Sequence, residues 1–274
     1  MSRNETYGAL CVDWIEAGHL LGEGVRLVLS NRTGGCSPPP YDTMNLSYRT
    51  GDRAANVRRN RETAARILGI ENHRFVYLKQ VHGTRVRMVS EADIPPSGSC
   101  RYDTFRETDG TFTVMAGVPL VVLTADCLPI ALSDGRGGTV AMLHAGWRGT
   151  VGDIAGRALG MMKRDLRIMT EDVRAVIGPG IGSCCYRVDE GRAGVFVERY
   201  GEESGVVLKK GGLRLDLYRA NRLNLLEAGV RSENIFRVGG CTYCDKRYYS
   251  YRREGDTGRQ GSFVYLEWDK GKGA

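Results

Sequence analysis

The stretch that most constrains this chain is Thr124 to Gly149, TADCLPIALSDGRGGTVAMLHAGWRG. An apolar run at 121–123 leads into Asp126 and Cys127. A second run, 129–132, reaches the turn-forming cluster 133–138. A third, 139–143, delivers His144 and then Ala145, Gly146, Trp147 and Arg148. Two apolar strands around a Ser/Asp/Gly cluster predict a β-hairpin. An even loop centred between Gly135 and Arg136 sets Cys127 directly opposite His144, with Cβ atoms about 4.5–5.5 Å apart; an odd loop makes them diagonal neighbours. Either way a thiol and an imidazole meet at the open end of the hairpin.

The 274 residues fit one large domain, and 42% hydrophobic content supplies a substantial core. A disordered chain is thereby excluded. Net charge is +7, and 32 of the 39 basic residues are arginine. Arginine is the better bidentate partner for carboxylate and phosphate, so an anionic substrate fits. The arginines are scattered, with no lysine-rich tail, which argues against nucleic acid as partner. The N-terminus lacks a basic-then-apolar signal pattern. Pro119, Asp126 and Pro129 interrupt the longest apolar stretch, 114–132, so no membrane span is expected. Eight cysteines in such a chain suggest thiols or metal ligands rather than a disulfide framework. The expectation is a soluble, cytoplasmic protein, with a monomer favoured.

Residues 1–22 show no clear period and read as a loosely packed arm or an edge strand. Residues 25–29 alternate as a strand, and the turn-rich 33–46 reads as a binding loop. Asp52 is expected to cap a helix ending near Leu68, with Gly69 as its stop. Residues 75–79 and 85–89 read as strands flanking Val81-His82-Gly83, and 94–108 as an exposed loop. Helices are expected at 150–166, at 190–200 and from Asp216 to Gly229. Further strands are expected at 173–177, 235–238 and 262–266, with short ones near Val206 and Leu213. Strands and helices intermix without strict βαβ alternation, which predicts mixed sheets with helices outside.

Of the four histidines, His82 and His144 sit at strand ends beside glycines. With Cys127 they form a Cys/His/His set, and three N/S ligands with an open position is the pattern of catalytic zinc. The alternative is a Cys127 nucleophile with His144 as base and Asp126 as orienting acid. His82 discriminates, since a cysteine hydrolase needs no second imidazole. Cys184-Cys185 and the Cys241/Cys244 pair read most simply as packed thiols. Arg148, beside Trp147, reads as an anion clamp.

The segments NRTGG…PYDTMNLS, GD…NVRRNR, KQVHG, TADCLPI, HAGWRGT, IGPGIGSCCY and CTYCD…YSYRREGDTGRQG resemble, in order, those of the laccase-domain family. That family has been called polyphenol oxidase-like and is regarded as purine nucleoside phosphorylases of broad specificity. The resemblance runs from about residue 25 to 266. It implies a single α+β domain over 1–274, with two mixed β-sheets sandwiched between helical layers, similar to cysteine-type toxin deamidases. It implies one zinc held by His82, Cys127 and His144, with copper as the alternative ion. Asn45, Arg61 and Cys127 are the implied catalytic residues, and Arg61 joins Arg148 in binding substrate. The implied activities are phosphorolysis of adenosine, inosine and methylthioadenosine, and deamination of adenosine. An amide hydrolase of peptidoglycan precursors and a copper-dependent phenol oxidase are the alternatives. Arg187, where the family usually has an acid, and Cys244, often a serine, depart from the pattern.

Overall fold

The structure, a computed structural model, describes residues 12–99 and 103–268. Its strands are β1 (Ile15–Glu16), β2 (Val25–Leu29), β3 (Val86–Met88), β4 (Gly110–Thr113), β5 (Leu120–Thr124) and β6 (Leu128–Ser133). They continue with β7 (Val140–Ala145), β8 (Arg174–Ile177), β9 (Val207–Leu208), β10 (Arg214–Leu215), β11 (Ile235–Arg237) and β12 (Gln260–Leu266). The helices are α1 (Ala54–Leu68), α2 (Trp147–Val151), α3 (Ile154–Leu166), α4 (Glu190–Tyr200), α5 (Leu217–Glu227) and α6 (Tyr251–Glu254).

An antiparallel sheet runs β1-β2-β12-β5, and a mixed sheet runs β11-β8-β6-β7-β4-β3. Their facing sides meet because side chains alternate along each strand. Leu27 and Leu29 of β2, Leu120 and Val122 of β5, and Val264 of β12 pack against Ala131, Val140, Met142 and Val176 of the mixed sheet. The opposite faces are covered by helices. Val28, Val121 and Phe263 meet Ala64, Ala65, Ile67 and Leu68 of α1. Ile130, Leu132, Leu143 and Ile177 meet α3, α4 and α5 through Ile154, Ala158, Phe196, Ala220 and Leu225. The architecture is α/β/β/α, an α+β fold with both sheets interior. No helix among the described residues is long and apolar enough to cross a membrane.

Several expectations are corrected in detail. Of the stretch 1–22, residues 1–11 lie outside the described residues; over 12–22 the edge-strand alternative holds, with β1 paired to β2 and the Trp14 ring stacked 6.1 Å from Phe263. Arg53, not Asp52, is the residue before α1; Asp52 instead accepts from the Arg53 amide, Ser37, Asn45 and Asn56. Gly69 ends α1 at φ +67°, a left-handed cap suited to glycine. Residues 75–79 form only isolated bridges, Val76 to Leu120 and Leu78 to Phe105. The helix expected over 150–166 starts earlier and breaks at Gly152, and Asp153 then caps α3 by accepting from the Gly156 amide at 2.9 Å.

Phe263 is fully buried on an inner strand of its sheet, between Trp14 and Phe75. Phe263→Ala is expected to cost about 3–5 kcal/mol, measured by chemical denaturation. A loss below about 1 kcal/mol would place this layer outside the core.

Candidate metal centre

The hairpin forms, with its register displaced from expectation. Pro129 pairs with His144 and Leu128 with Ala145. The loop is even, as expected: Ser133 pairs with Val140, and the Asp134 amide donates to Thr139 O, leaving residues 135–138 at the turn. Its centre moves one residue toward the C-terminus. Cys127, just before β6, is therefore the diagonal rather than the direct neighbour of His144. Parity is unchanged, so both side chains keep the same face.

His82 arrives from the connection before β3. Gln80 fixes its approach by copying a strand: Nε2 donates to Leu123 O and Oε1 accepts from the Leu123 amide, both at 2.8 Å. His82 then turns at φ +61°, in the left-handed region. A buried carboxylate stabilises that turn. Asp109 accepts from the amides of Val81 (3.2 Å), His82 (2.9 Å) and Gly83 (2.9 Å). Its Oδ1 also lies 2.9 Å from His144 Nδ1. Asp109 is 0% exposed and His144 2% exposed, so this hydrogen bond lies in the interior.

The consequence is a fixed imidazole. With Nδ1 committed to Asp109, His144 turns Nε2 toward Cys127 and His82. The two imidazole centroids lie 4.9 Å apart, crossing at 73°. The ligand atoms of His82, Cys127 and His144 all lie within 4.8 Å of one another. Gly146 leaves the space for this, because a Cβ there would meet Cys127 Sγ at 2.9 Å and His82 Cδ2 at 3.1 Å. One soft sulfur, two imidazoles and a carboxylate behind one of them suit a zinc-type ion with a coordination position to spare.

Electrostatics favour the thiolate of Cys127 paired with a protonated His144, so an ion taking His144 Nε2 displaces a proton. Burial pushes the Cys127 thiol up, but the His144 charge and hydrogen bonds from His144 and His82 outweigh it and hold it down at about 6. Burial pushes His144 down, yet the Cys127 charge and Asp109 raise it to about 9. Asp109 is opposed by burial and held below the usual carboxylate range by His144 and the backbone amides.

The ligands open into a cleft of about 490 Å³. Arg61, Arg148, Arg192, Arg252 and Arg259 line it, with the rings of Tyr48, Trp147, Tyr186 and Tyr251. Arg61 is 2% exposed; its Nε donates to Leu46 O at 2.9 Å and its guanidinium lies over Tyr77 and Tyr48. Arg148 and Arg192 both lie over the Trp147 ring. Thr124 Oγ1 and Arg192 Nε, both buried, have no hydrogen-bond partner among the described residues.

Two residues sit differently from the sequence reading. Asn45 is fully buried and is not among the cleft-lining residues: its amide donates to Ser47 O, Thr50 and Asp52, and its oxygen accepts from the Ser47 and Arg259 amides. Asp126 does not orient His144. Its carboxylate accepts from Thr242 Oγ1 and the Arg252 amide, both at 2.7 Å, tying the C-terminal segment to the strand end beside Cys127. Asp109 holds the position that the cysteine-nucleophile reading gave to Asp126. Sequence reasoning missed Asp109, Gln80 and Arg192. The available signal for Asp109 was an acid directly before a short strand rich in β-branched residues, Gly-Thr-Phe-Thr.

Fold and site together define an α/β/β/α protein with a candidate metal centre in a basic, aromatic-walled cleft. The chain belongs to the laccase-domain family: the family model described as multi-copper polyphenol oxidoreductase laccase matches residues 26–267. Among its relatives is purine nucleoside phosphorylase YlmD of Geobacillus stearothermophilus, 34% identical over 256 residues, covering 92% of this chain and 93% of that protein. A purine nucleoside phosphorylase of Xylella fastidiosa is 35% identical over 255 residues, covering 89% and 92% respectively. The crystal structure of YlmD from Geobacillus stearothermophilus superposes with a TM-score of 0.89 at 33% identity, over 97% of this chain and 99% of that one. The Bacillus licheniformis protein YfiH gives 0.83 at 36% identity, over 89% and 93%.

Asp109→Asn keeps the size of the side chain but turns an N–H₂ toward backbone donors or toward His144. Its zinc affinity is expected to fall about 10–100-fold, read by competition with a chromogenic chelator. Unchanged affinity would remove Asp109 from the site's support.

Proposed function

We propose that this chain is a purine nucleoside phosphorylase of broad specificity, acting on adenosine, inosine and methylthioadenosine with a zinc ion at His82, Cys127 and His144. The observation that carries the reading is the arginine-rich cleft opening directly on those ligands. The relatives' names point to the same reaction.

Phosphorolysis needs a site for a dianion, a site for a flat apolar base, and a sugar held between them. Arg61 and Arg148 are the proposed phosphate holders. Arg61 is oriented by Leu46 O and two aromatic rings, and Arg148 stands in the first turn of α2. Tyr186, Tyr251, Ile181 and Leu217 offer flat or apolar surface for the base. When bound, the ion supplies Lewis acidity toward a phosphate or water oxygen through its open position. In the reaction a phosphate oxygen bonds to C1′ while the C1′–N9 bond breaks. The electron pair leaves with the purine, which gains a proton, and ribose 1-phosphate remains. The sugar passes through an oxocarbenium-like state, so the arginines serve by holding the anion close to C1′. Asn45 contributes from behind, by fixing the Ser47 and Arg259 backbone.

Deamination of adenosine is the second proposed activity, with water in place of phosphate. It needs a carboxylate as proton carrier. Asp126 is committed to Thr242 and Arg252, which leaves Asp103, paired with Arg49, as the other lining carboxylate.

The family description raises an oxidase as a rival. Reducing oxygen to water needs several coppers, and the chain has four histidines. His73 sits against Glu71, and the only groups of three or more metal-type ligands among the described residues are the His82–Cys127–His144 set and a four-cysteine set. The donor inventory does not build a multi-copper centre.

Zinc-loaded protein given adenosine and phosphate is expected to release adenine and ribose 1-phosphate, resolved by chromatography. Inosine formed equally with and without phosphate would instead make deamination the main reaction. Arg61→Ala is expected to lower kcat/KM for phosphorolysis by about 10²-fold or more, with Arg61→Lys recovering part of it. Full activity in Arg61→Ala would remove the phosphate assignment.

A further inference from the structure

Four cysteines that play no part in the cleft chemistry meet at the surface next to it. β8 and β11 pair in parallel, and the pairing continues beyond their ends. The Val238 amide donates to Ile177 O, Gly180 bridges to Cys241, and the Thr242 amide donates to Gly180 O at 3.0 Å. The two chain exits therefore run side by side, and each then turns tightly. The Cys185 and Tyr186 amides close the first turn on Gly182 O, and the Cys244 and Asp245 amides close the second on Cys241 O. Cys184 and Cys185 project from one turn, Cys241 and Cys244 from the other. Their four sulfurs all lie within 4.8 Å of one another.

We propose that Cys184, Cys185, Cys241 and Cys244 bind a single zinc ion, a structural site separate from the one in the cleft. The spacing suits it. Cys184 Sγ lies 3.8 Å and Cys185 Sγ 3.3 Å from Cys244 Sγ. Zinc–thiolate bonds of about 2.3 Å place tetrahedral sulfurs about 3.8 Å apart. Sulfurs this close surround one ion and leave no room for a multi-iron cluster. They are also well beyond the S–S bond length of about 2.05 Å, and all four thiols are free.

Core packing accounts for Cys185 and Cys241 but not for Cys184 and Cys244, which are exposed. The backbone is arranged for thiolate: the Gly182 amide donates to Cys241 Sγ at 3.1 Å. Gly182 is itself shaped by the cluster, since a Cβ there would meet Cys184 Sγ and the Cys241 Cβ, each at 3.1 Å. Four soft donors around one ion would leave no open position, which fits a structural rather than a catalytic role.

The ion would join two segments that both reach the cleft. Tyr186 follows Cys185 directly and lines the cleft, with the Arg252 guanidinium 5.2 Å from its ring and Arg252 Nη1 donating to Arg187 O. Thr242, next to Cys241, donates to Asp126 beside Cys127. Zinc at the four cysteines therefore braces one wall of the cleft.

The test is the zinc content of full-length protein purified without chelator, measured by elemental analysis alongside the Cys241→Ser/Cys244→Ser variant. The variant is expected to hold one zinc per chain fewer, a difference that does not depend on what the cleft binds or catalyses. In parallel, the Cys127→Ser variant loaded with cobalt(II) is expected to show the intense charge-transfer and visible bands of a tetrahedral tetrathiolate site. This second reading stands even if the double variant fails to fold. Equal zinc in parent and double variant, absence of tetrathiolate bands, or disulfides among these cysteines in unreduced parent by mass spectrometry would each overturn the proposal.

Discussion

One buried carboxylate holds the centre together. Asp109 has no exposed surface, and ionising it there is costly unless its oxygens are occupied. Three consecutive amides, from Val81 to Gly83, and His144 Nδ1 occupy them. The same contact therefore bends one histidine's backbone into the left-handed region and sets the ring of the other. Without it His82 would lack the anchor for its turn, and either His144 nitrogen could face the sulfur.

The fold is what permits this convergence. β4 carries Asp109 at its entrance and pairs with β7, which carries His144 near its end; β3, parallel to β4, brings back the chain just after His82. Cys127 comes from the strand on the other side of β7. Four neighbouring strands, β6-β7-β4-β3, thus bring the three side chains and Asp109 to one end of the sheet, while the two-sided apolar packing keeps that end rigid. Asp126 then fastens the C-terminal segment to the same end, so the wall holding Tyr251, Arg252 and Arg259 is tied to the residue beside Cys127.

Local patterns were legible in the sequence. The hairpin, β2, α4 and the Asp216 cap follow from alternation, helical spacing and capping residues, and α1 ends at Gly69 as its glycine suggests. Long-range consequences were not. The hairpin register slipped because the turn is centred between Arg136 and Gly137, one residue beyond the expected point between Gly135 and Arg136. The strand expected at 75–79 lacks a continuous partner and survives as bridges. Asp109 resembles a turn acid until β4 and the His82 loop close around it. The four clustered cysteines look like separate packed pairs until the parallel pairing of β8 and β11 brings their exits together. Motif resemblance grouped His82, Cys127 and His144 by a different route, since nothing in local spacing joins His82 to Cys127, and the structure brings the three side chains together.

The central claim is that His82, Cys127 and His144 share one ion. An anomalous difference map, recorded at the zinc edge from crystals grown with zinc, tests it most directly. The account expects a peak bonded to Cys127 Sγ, His144 Nε2 and one His82 ring nitrogen, with Asp109 still on His144 Nδ1. No peak at these residues, or a His144 ring turned so that Nδ1 leaves Asp109, would contradict it.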